Sequence, residues 1–336
     1  MIDNTLKGLF LKVFIGLLLT SIISTVFYSY HFLNKQLFPS ARTLQIKEGT
    51  SLTGVVSQLY ANEIVSDPLT TRILLQGLGF QRKLRAGVYD VRPGETLLEL
   101  INKISKGQEK LFSFTIVEGL NFNDLIKNIE NTKSISSEDI SDLSVLELSG
   151  ALGIEVSSPE GLFFPDTYHY PWGTTAFSLL SMSKKKMEEI IEEEWIDRNP
   201  DLAFSSKYEA LILASIIEKE TANPAERTMI SGVFSNRLSK RMRLQSDPTV
   251  IYGLGNLYNG NLKKTHLKQW TPYNTYKIHG LPPSPIAMPG RDSIRAALQP
   301  KATDALYFVS KGNGSHIFSS SLKDHNQAVN RYQRKQ

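Results

Sequence analysis

The 336-residue chain has no cysteine. Disulfides, a thiolate nucleophile and cysteine-ligated zinc are therefore excluded. His266, His279, His316 and His325 form no HxH or HxxxH pair, so no zinc site is read from the histidines either. No GxSxG, GxxxxGK[ST] or GxGxxG run occurs, which removes hydrolase-elbow, P-loop and dinucleotide chemistry. Neither a cofactor nor a metal is expected. Charge of one sign is scarce as well: 38 Lys and Arg against 33 Asp and Glu leave a net +5. That mild excess suits an anionic polymer or a membrane surface and is too small to call for nucleic acid. Low-complexity tracts are missing, the 22 Gly and 15 Pro being scattered without period. With 41% hydrophobic residues, the chain reads as folded, and at roughly 150 residues per domain its length suggests about two domains.

What is present begins with an apolar run. Val13 to Leu33 is free of Asp, Glu, Lys and Arg. At about 1.5 Å per residue a helix of that length reaches roughly 30 Å, enough to cross a bilayer core. A cleaved signal peptide has a shorter apolar core and small residues at its cut, whereas this run ends in Phe27, Tyr28, Tyr30 and Phe32, which read as an interfacial aromatic anchor. The expectation is a cytoplasmic tail at 1–12 and a transmembrane anchor at 13–33. Lys7 and Lys12 before the span and Lys35, Arg42 and Lys47 after it leave the positive-inside count undecided. The asymmetry of mass places the bulk of the chain on the extracytoplasmic side of the membrane that the span crosses.

Three later segments resemble one another: Ile46 to Leu52, Val91 to Leu97 and Ile116 to Phe122. Each has a β-branched residue, a turn with glycine, a small polar residue and an apolar helix start. The spacing predicts helices over Leu52 to Tyr60, Leu97 to Lys106 and Phe122 to Ile129, capped by Thr50 or Ser51, by Thr96, and by Asn121 or Asn123. The first two units resemble LysM-like modules, which bind the N-acetylglucosamine chains of cell walls, and residues 34–112 are read as one such α/β module. Residues 113–158 form a connecting α/β segment.

From Glu160 the sequence changes character. Between Ala210 and Ile217 every residue is apolar or small, so the helix that carries them is buried nearly all round. Glu218 and Glu220 end it, where the helix dipole and apolar surroundings raise a carboxyl pKa, as a general acid requires. At about 100° per residue the two lie roughly 200° apart and cannot both face one cleft; the spacing leaves open which one does. Glu226, third after Asn223 in Asn-Pro-Ala-Glu, reads as half of a capping box. A two-carboxylate glycosidase would need a partner such as Asp166 or Asp247. Proline-rigidified loops at 236–253, 271–276 and 280–286 carry Asn, Gln, Asp and Tyr, groups suited to a saccharide. A helix over Asp292 to Leu298, capped by Asp292 or Ser293, a hairpin across Gly312 to Gly314 and a terminal helix from Leu322 to about Tyr332 complete the chain.

Several longer motifs are specific. ASIIEKET (214–221), FSNRL through MRLQSDPTVIYG (234–253), TPYNTY (271–276), HGLPPSPIAMPG (279–290), EGLFFPDTY (160–168) and the ending YFVSKGNGSHIFSSSLKDHNQAV (307–329) resemble the YceG-like family of endolytic murein transglycosylases over the whole chain. The resemblance implies an α+β protein: a single transmembrane helix, a LysM-like module and a mixed α+β catalytic domain at 159–336. It implies cleavage of the β-1,4 bond between N-acetylmuramic acid and N-acetylglucosamine in peptidoglycan strands, leaving a 1,6-anhydro end, and it implies peptidoglycan synthases as partners. It makes the first Glu of EKET, Glu218, the catalytic residue. Motif position and residue type make Asn236, Gln245, Asp247, Tyr273 and Asn274 the candidates for sugar contacts. The alternatives are a noncatalytic LysM-like wall-binding or scaffold protein and a hydrolytic muramidase.

Overall fold

The structure, a computed structural model, describes residues 4–333 apart from Ala41. Its chain divides into two compact units: one holds the chain through Phe112 together with Tyr170–Trp172, the other Ser113–His169 and the chain from Gly173 onward.

The first unit is built from α1 (Asn4–Leu33), β1 (Thr43–Ile46), α2 (Leu52–Ala61), α3 (Pro68–Gly77), β2 (Gly87–Asp90) and α4 (Leu97–Lys106). β1 and β2 pair antiparallel, with Leu44 opposite Tyr89. Alternation along β1 buries Leu44 and Ile46. On α4 the buried residues are Leu97, Leu100, Ile101 and Ile104, the i, i+3, i+4, i+7 stripe of a helix packed on one side. Ser51 caps α2, Asp67 caps α3 and Thr96 caps α4 in a full capping box with Glu99, each worth about 1 kcal/mol. Lys7–Leu33 of α1 is long and apolar enough to cross a membrane, and its large apolar side chains are exposed until Phe32, which packs on the unit's core that Leu33 and Leu37 join.

β3 (Leu111–Thr115) leads into the second unit, which continues with α5 (Phe122–Glu130), β4 (Ile135–Ser136), α6 (Val145–Ala151), β5 (Thr167–Pro171), β6 (Thr174–Thr175) and α7 (Ala176–Ile196). Next come α8 (Lys207–Glu220), α9 (Arg227–Ser239), α10 (Asp247–Leu254), α11 (Lys264–Lys268), α12 (Arg291–Leu298), β7 (Tyr307–Ser310), β8 (His316–Ser319) and α13 (Leu322–Tyr332). β3 pairs with β5, β4 with β6 in parallel, and β7 with β8 antiparallel. The core is built around α8, whose residues Ala210 to Ile217 are all buried, as its sequence requires. α7 is tied to α12 through the buried Glu194, whose carboxylate accepts from Arg291 Nε at 2.6 Å and Arg295 Nη2 at 2.8 Å.

The three glycine turns share one conformation, with φ of 75° at Gly49, 87° at Gly94 and 76° at Gly119, a region open to glycine at little steric cost. Asn121 caps α5, completing the strand, turn and helix of the third copy. Two local expectations are corrected. Glu226 is not part of a capping box: Asn223 caps Ala225 N–H alone, and the Glu226 carboxylate accepts from His316 N–H at 3.0 Å and pairs with its Nδ1 at 2.7 Å. α12 has no side-chain cap: Gly290 occupies that position, and Asp292 lies inside the first turn, paired with Arg227.

Candidate active site

α8 ends between two unlike environments. On one face, the Glu218 side chain is 6% exposed and accepts from Gly290 N–H at 3.0 Å (Oε2) and Arg227 Nη2 at 3.4 Å (Oε1). Arg227 opens α9, lies 3.3 Å from Asp292 Oδ2 through Nη1, and reaches Glu118 Oε2 at 3.9 Å through Nη2. Three carboxylates thus surround one guanidinium. Glu118 comes from the third glycine turn and packs directly on Gly290, where an added Cβ would overlap its carboxyl group. Burial, then the nearby charge of Glu218, raises the Glu118 pKa above the usual carboxylate range. Lys219 donates from Nζ to Gly119 O at 3.1 Å and so joins the same turn to the end of α8. Neither Glu118 nor Arg227 was among the sequence candidates.

On the other face, Ser246 Oγ donates to Glu220 Oε1, and burial pushes the Glu220 carboxyl up to about 7. Ser246 N–H donates to Thr275 Oγ1 at 2.9 Å, Thr249 Oγ1 donates to Ser246 O at 2.7 Å, and the two threonine hydroxyls lie 2.8 Å apart. This buried network holds Gln245, which has φ 53°, a left-handed conformation that strains a non-glycine residue by about 1–2 kcal/mol. Gln245 N–H donates to Thr275 O at 3.1 Å. The Gln245 and Asp247 side chains are exposed, and Asp247 Oδ1 accepts from Tyr276 OH at 2.7 Å.

The remaining candidates are drawn inward. Tyr273 packs edge-on to Tyr252 at 4.8 Å between ring centres, and its hydroxyl is 2.7 Å from Ser284 Oγ. Asn236 donates from Nδ2 to Thr303 O at 2.8 Å and Ala305 O at 3.0 Å, joining α9 to the segment before β7. Asn274 is wholly buried; its Nδ2 faces three backbone carbonyls, the nearest Gln269 O at 2.6 Å, and its Oδ1 accepts from Tyr276 N–H. Asn274 thus turns its whole amide to the chain's own backbone, and the partly buried Asn236 does so with its Nδ2.

A cavity of about 890 Å³ is lined by Gly119 and Lys219, by Phe122 and Ile126 of α5 and by Ile251 and Tyr252 of α10; Glu218 lies next to its Gly119 edge, and Asn236, Gln245, Asp247, Tyr273 and Asn274 do not line it. Behind it, the buried Glu160 accepts from Phe122 N–H at 3.1 Å and from Tyr252 OH at 3.0 Å, and burial pushes its carboxyl up to about 7. Among the described residues no group of His, Asp and Glu could hold a metal ion.

The YceG-like family model matches residues 44–331, and the chain belongs to the YceG-like family. The endolytic murein transglycosylase of Bacillus subtilis (strain 168) is 32% identical over 309 residues, an alignment that spans 86% of this chain and 84% of the relative. That of Streptococcus pneumoniae (strain R6) is 26% identical over 328 residues, covering 85% of this chain but 57% of the longer relative. A crystal structure of a YceG-like protein from Listeria monocytogenes is 28% identical, with a TM-score of 0.54 over 85% of this chain and 97% of that one.

Proposed function

We propose that this chain is an endolytic murein transglycosylase that cleaves the N-acetylmuramic acid–N-acetylglucosamine bond within peptidoglycan strands, trimming or terminating them. The observation that carries the reading is Glu218: a side chain nearly removed from solvent, fixed at the end of a buried helix and beside a cleft, in a protein whose relatives bear that name. Glu218 gives its proton to the glycosidic oxygen as the bond to C1 breaks toward an oxocarbenium-like state. Its carboxylate then takes the proton of the muramic C6 hydroxyl as that oxygen closes on C1, forming the 1,6-anhydro ring. An internal nucleophile of this kind brings an effective molarity of about 10⁵ M or more, so no carboxylate is needed to activate water.

The cavity along α5 and α10 supplies room for saccharide, with Gln245, Asp247 and the Tyr273 ring as the candidates for contacts near it. The first unit, with its own core and paired glycine turns, serves as the LysM-like element that holds glycan, and α1 anchors the chain in the cytoplasmic membrane with both units outside. Peptidoglycan synthases, which make the strands, are the corresponding partners. On this reading residues 1–12 are the cytoplasmic tail, 34–112 the LysM-like module, 113–158 the connecting segment and 159–336 the catalytic domain.

The full chain in detergent, wild type and Glu218→Gln, is incubated with uncrosslinked peptidoglycan and the products are weighed by mass spectrometry. Anhydro-ended fragments from the wild type and none from the variant are expected. Hydrated reducing ends would replace the transglycosylase reading with a muramidase, and binding without cleavage would replace it with a scaffold.

A further inference from the structure

Glu118 is the one carboxylate of the cluster whose place is not explained by packing or by the chain's own hydrogen bonds. Its side chain is 50% exposed, yet it converges with the nearly buried Glu218 on the same two groups. Arg227 Nη2 lies 3.9 Å from Glu118 Oε2 and 3.4 Å from Glu218 Oε1. Gly290 donates its N–H to Glu218 and lies bare beneath Glu118, a position where any side chain would evict the second carboxylate. The glycine turn that delivers Glu118 is in turn fastened to the catalytic helix by Lys219 and to the segment before α12 by Gly119 N–H to Met288 O at 2.8 Å.

We propose that Glu118 is a second carboxylate of the active site, and that Glu118 and Glu218, converging on the same Nη2 of Arg227, hold one proton between them for delivery to the glycosidic oxygen. The inference rests on the transglycosylase reading above and deepens it. The charged groups around the pair are Arg227 from α9, Asp292 from α12 and Lys219 from α8, so three carboxylates meet two cations. Carboxylates gathered on one guanidinium resist joint ionisation, which favours a proton in the cluster. Burial and the charge of Glu218 act on Glu118 in this direction. During the reaction the proton leaves the pair for the departing oxygen, the C1–O bond breaks, the C6 oxygen bonds to C1, and the C6 hydroxyl proton returns to the pair. The cycle closes with no outside reagent.

The test is the pH profile of kcat/KM for the full chain in detergent on uncrosslinked peptidoglycan, for wild type, Glu118→Gln, Glu118→Asp and Glu218→Gln. Removing the neighbouring charge lets the remaining carboxyl lose its proton at lower pH. Glu118→Gln is therefore expected to move the alkaline limb about one pH unit down, with roughly tenfold less activity at neutral pH and recovery toward acid. Glu118→Asp, which keeps the charge, is expected to keep the limb near its wild-type position. An unchanged Glu118→Gln profile, or an equal loss at every pH, would overturn the proposal, as would an aspartate variant shifted as far as the glutamine one. Glu218→Gln separates the two claims: if it stays active, the reading of Glu218 fails whatever Glu118 does.

Discussion

Glu218 and Glu220 leave the same helix two residues apart, and their surroundings differ in kind. The Glu218 face is a meeting of side chains from distant parts of the chain, with Glu118, Arg227 and Asp292 around a bare glycine. The Glu220 face is a closed set of hydroxyls, Ser246, Thr249 and Thr275, with every described partner inside the protein. Charge gathers at the first face, whereas at the second hydroxyls close around Glu220, with the charges of Asp247 and Arg237 beyond them, and hold a loop still; under the proposed function the first face is the one that exchanges a proton. A helix end can serve both tasks because residues two apart point to opposite sides.

The comparison breaks most sharply at Gly290. Its φ of −76° suits any residue, so Gly290→Ala leaves the backbone unstrained while its Cβ displaces the Glu118 carboxyl. A loss of about tenfold in kcat/KM at neutral pH with an unchanged melting temperature is expected, as for Glu118→Gln. Retention of full turnover would put Glu118 outside the site.

The opposite face should answer in stability. Glu220→Ala strands the Ser246 hydroxyl and releases the strained Gln245, an expected loss of about 1–3 kcal/mol by denaturant unfolding, together with a raised KM and a kcat near that of wild type. Glu220→Gln keeps an acceptor for Ser246 and should restore most of both. If alanine and glutamine lowered kcat equally and left KM alone, Glu220 would belong with the chemistry.

A smaller effect separates buried carboxyls from exposed ones by pH. Glu160 and Glu220 both rise from the usual 4.5 to about 7 on folding. The folded state therefore binds more protons than the unfolded chain between those values, so the contribution is fully present below pH 4.5 and is lost as pH rises through 7. The melting temperature should fall over that window, and the double variant Glu160→Gln, Glu220→Gln should flatten the fall. A slope that persisted in the double variant would place its cause elsewhere.

Much of the scaffold is legible because its signals are local. Thr96 with Glu99, Asn121 before Phe122 and the buried run from Ala210 to Ile217 each announce a helix within a few residues, and the structure places helices there. The site is less so. Helical angle alone separates Glu218 from Glu220, and the two do go to opposite faces, but nothing near them names Arg227, nine residues on, or Glu118, a hundred residues back. Two signals were available. An arginine in the first turn of α9 opposes the helix dipole, which argues that its charge is used elsewhere. The Glu-Gly pair recurs in the first and third glycine turns, and only in the third does the glutamate reach a cluster. Asn236 and Asn274 show the converse limit: a polar residue looks the same in sequence whether its amide faces a ligand or, as their Nδ2 groups do, the chain's own carbonyls.

The junction after α1 has a further consequence. Leu33 and Leu37 are buried in the first unit's core, and Leu37 exchanges backbone hydrogen bonds with Gly94 and Glu95 at 2.8 Å each. The apolar helix therefore runs straight into a packed module with no slack between them. With α1 in a bilayer, that module is a rigid mount and not a body on a tether. Its height and heading above the lipid are then set by the last turn of the helix, so that under the proposed function any glycan it holds lies within one narrow layer next to the membrane.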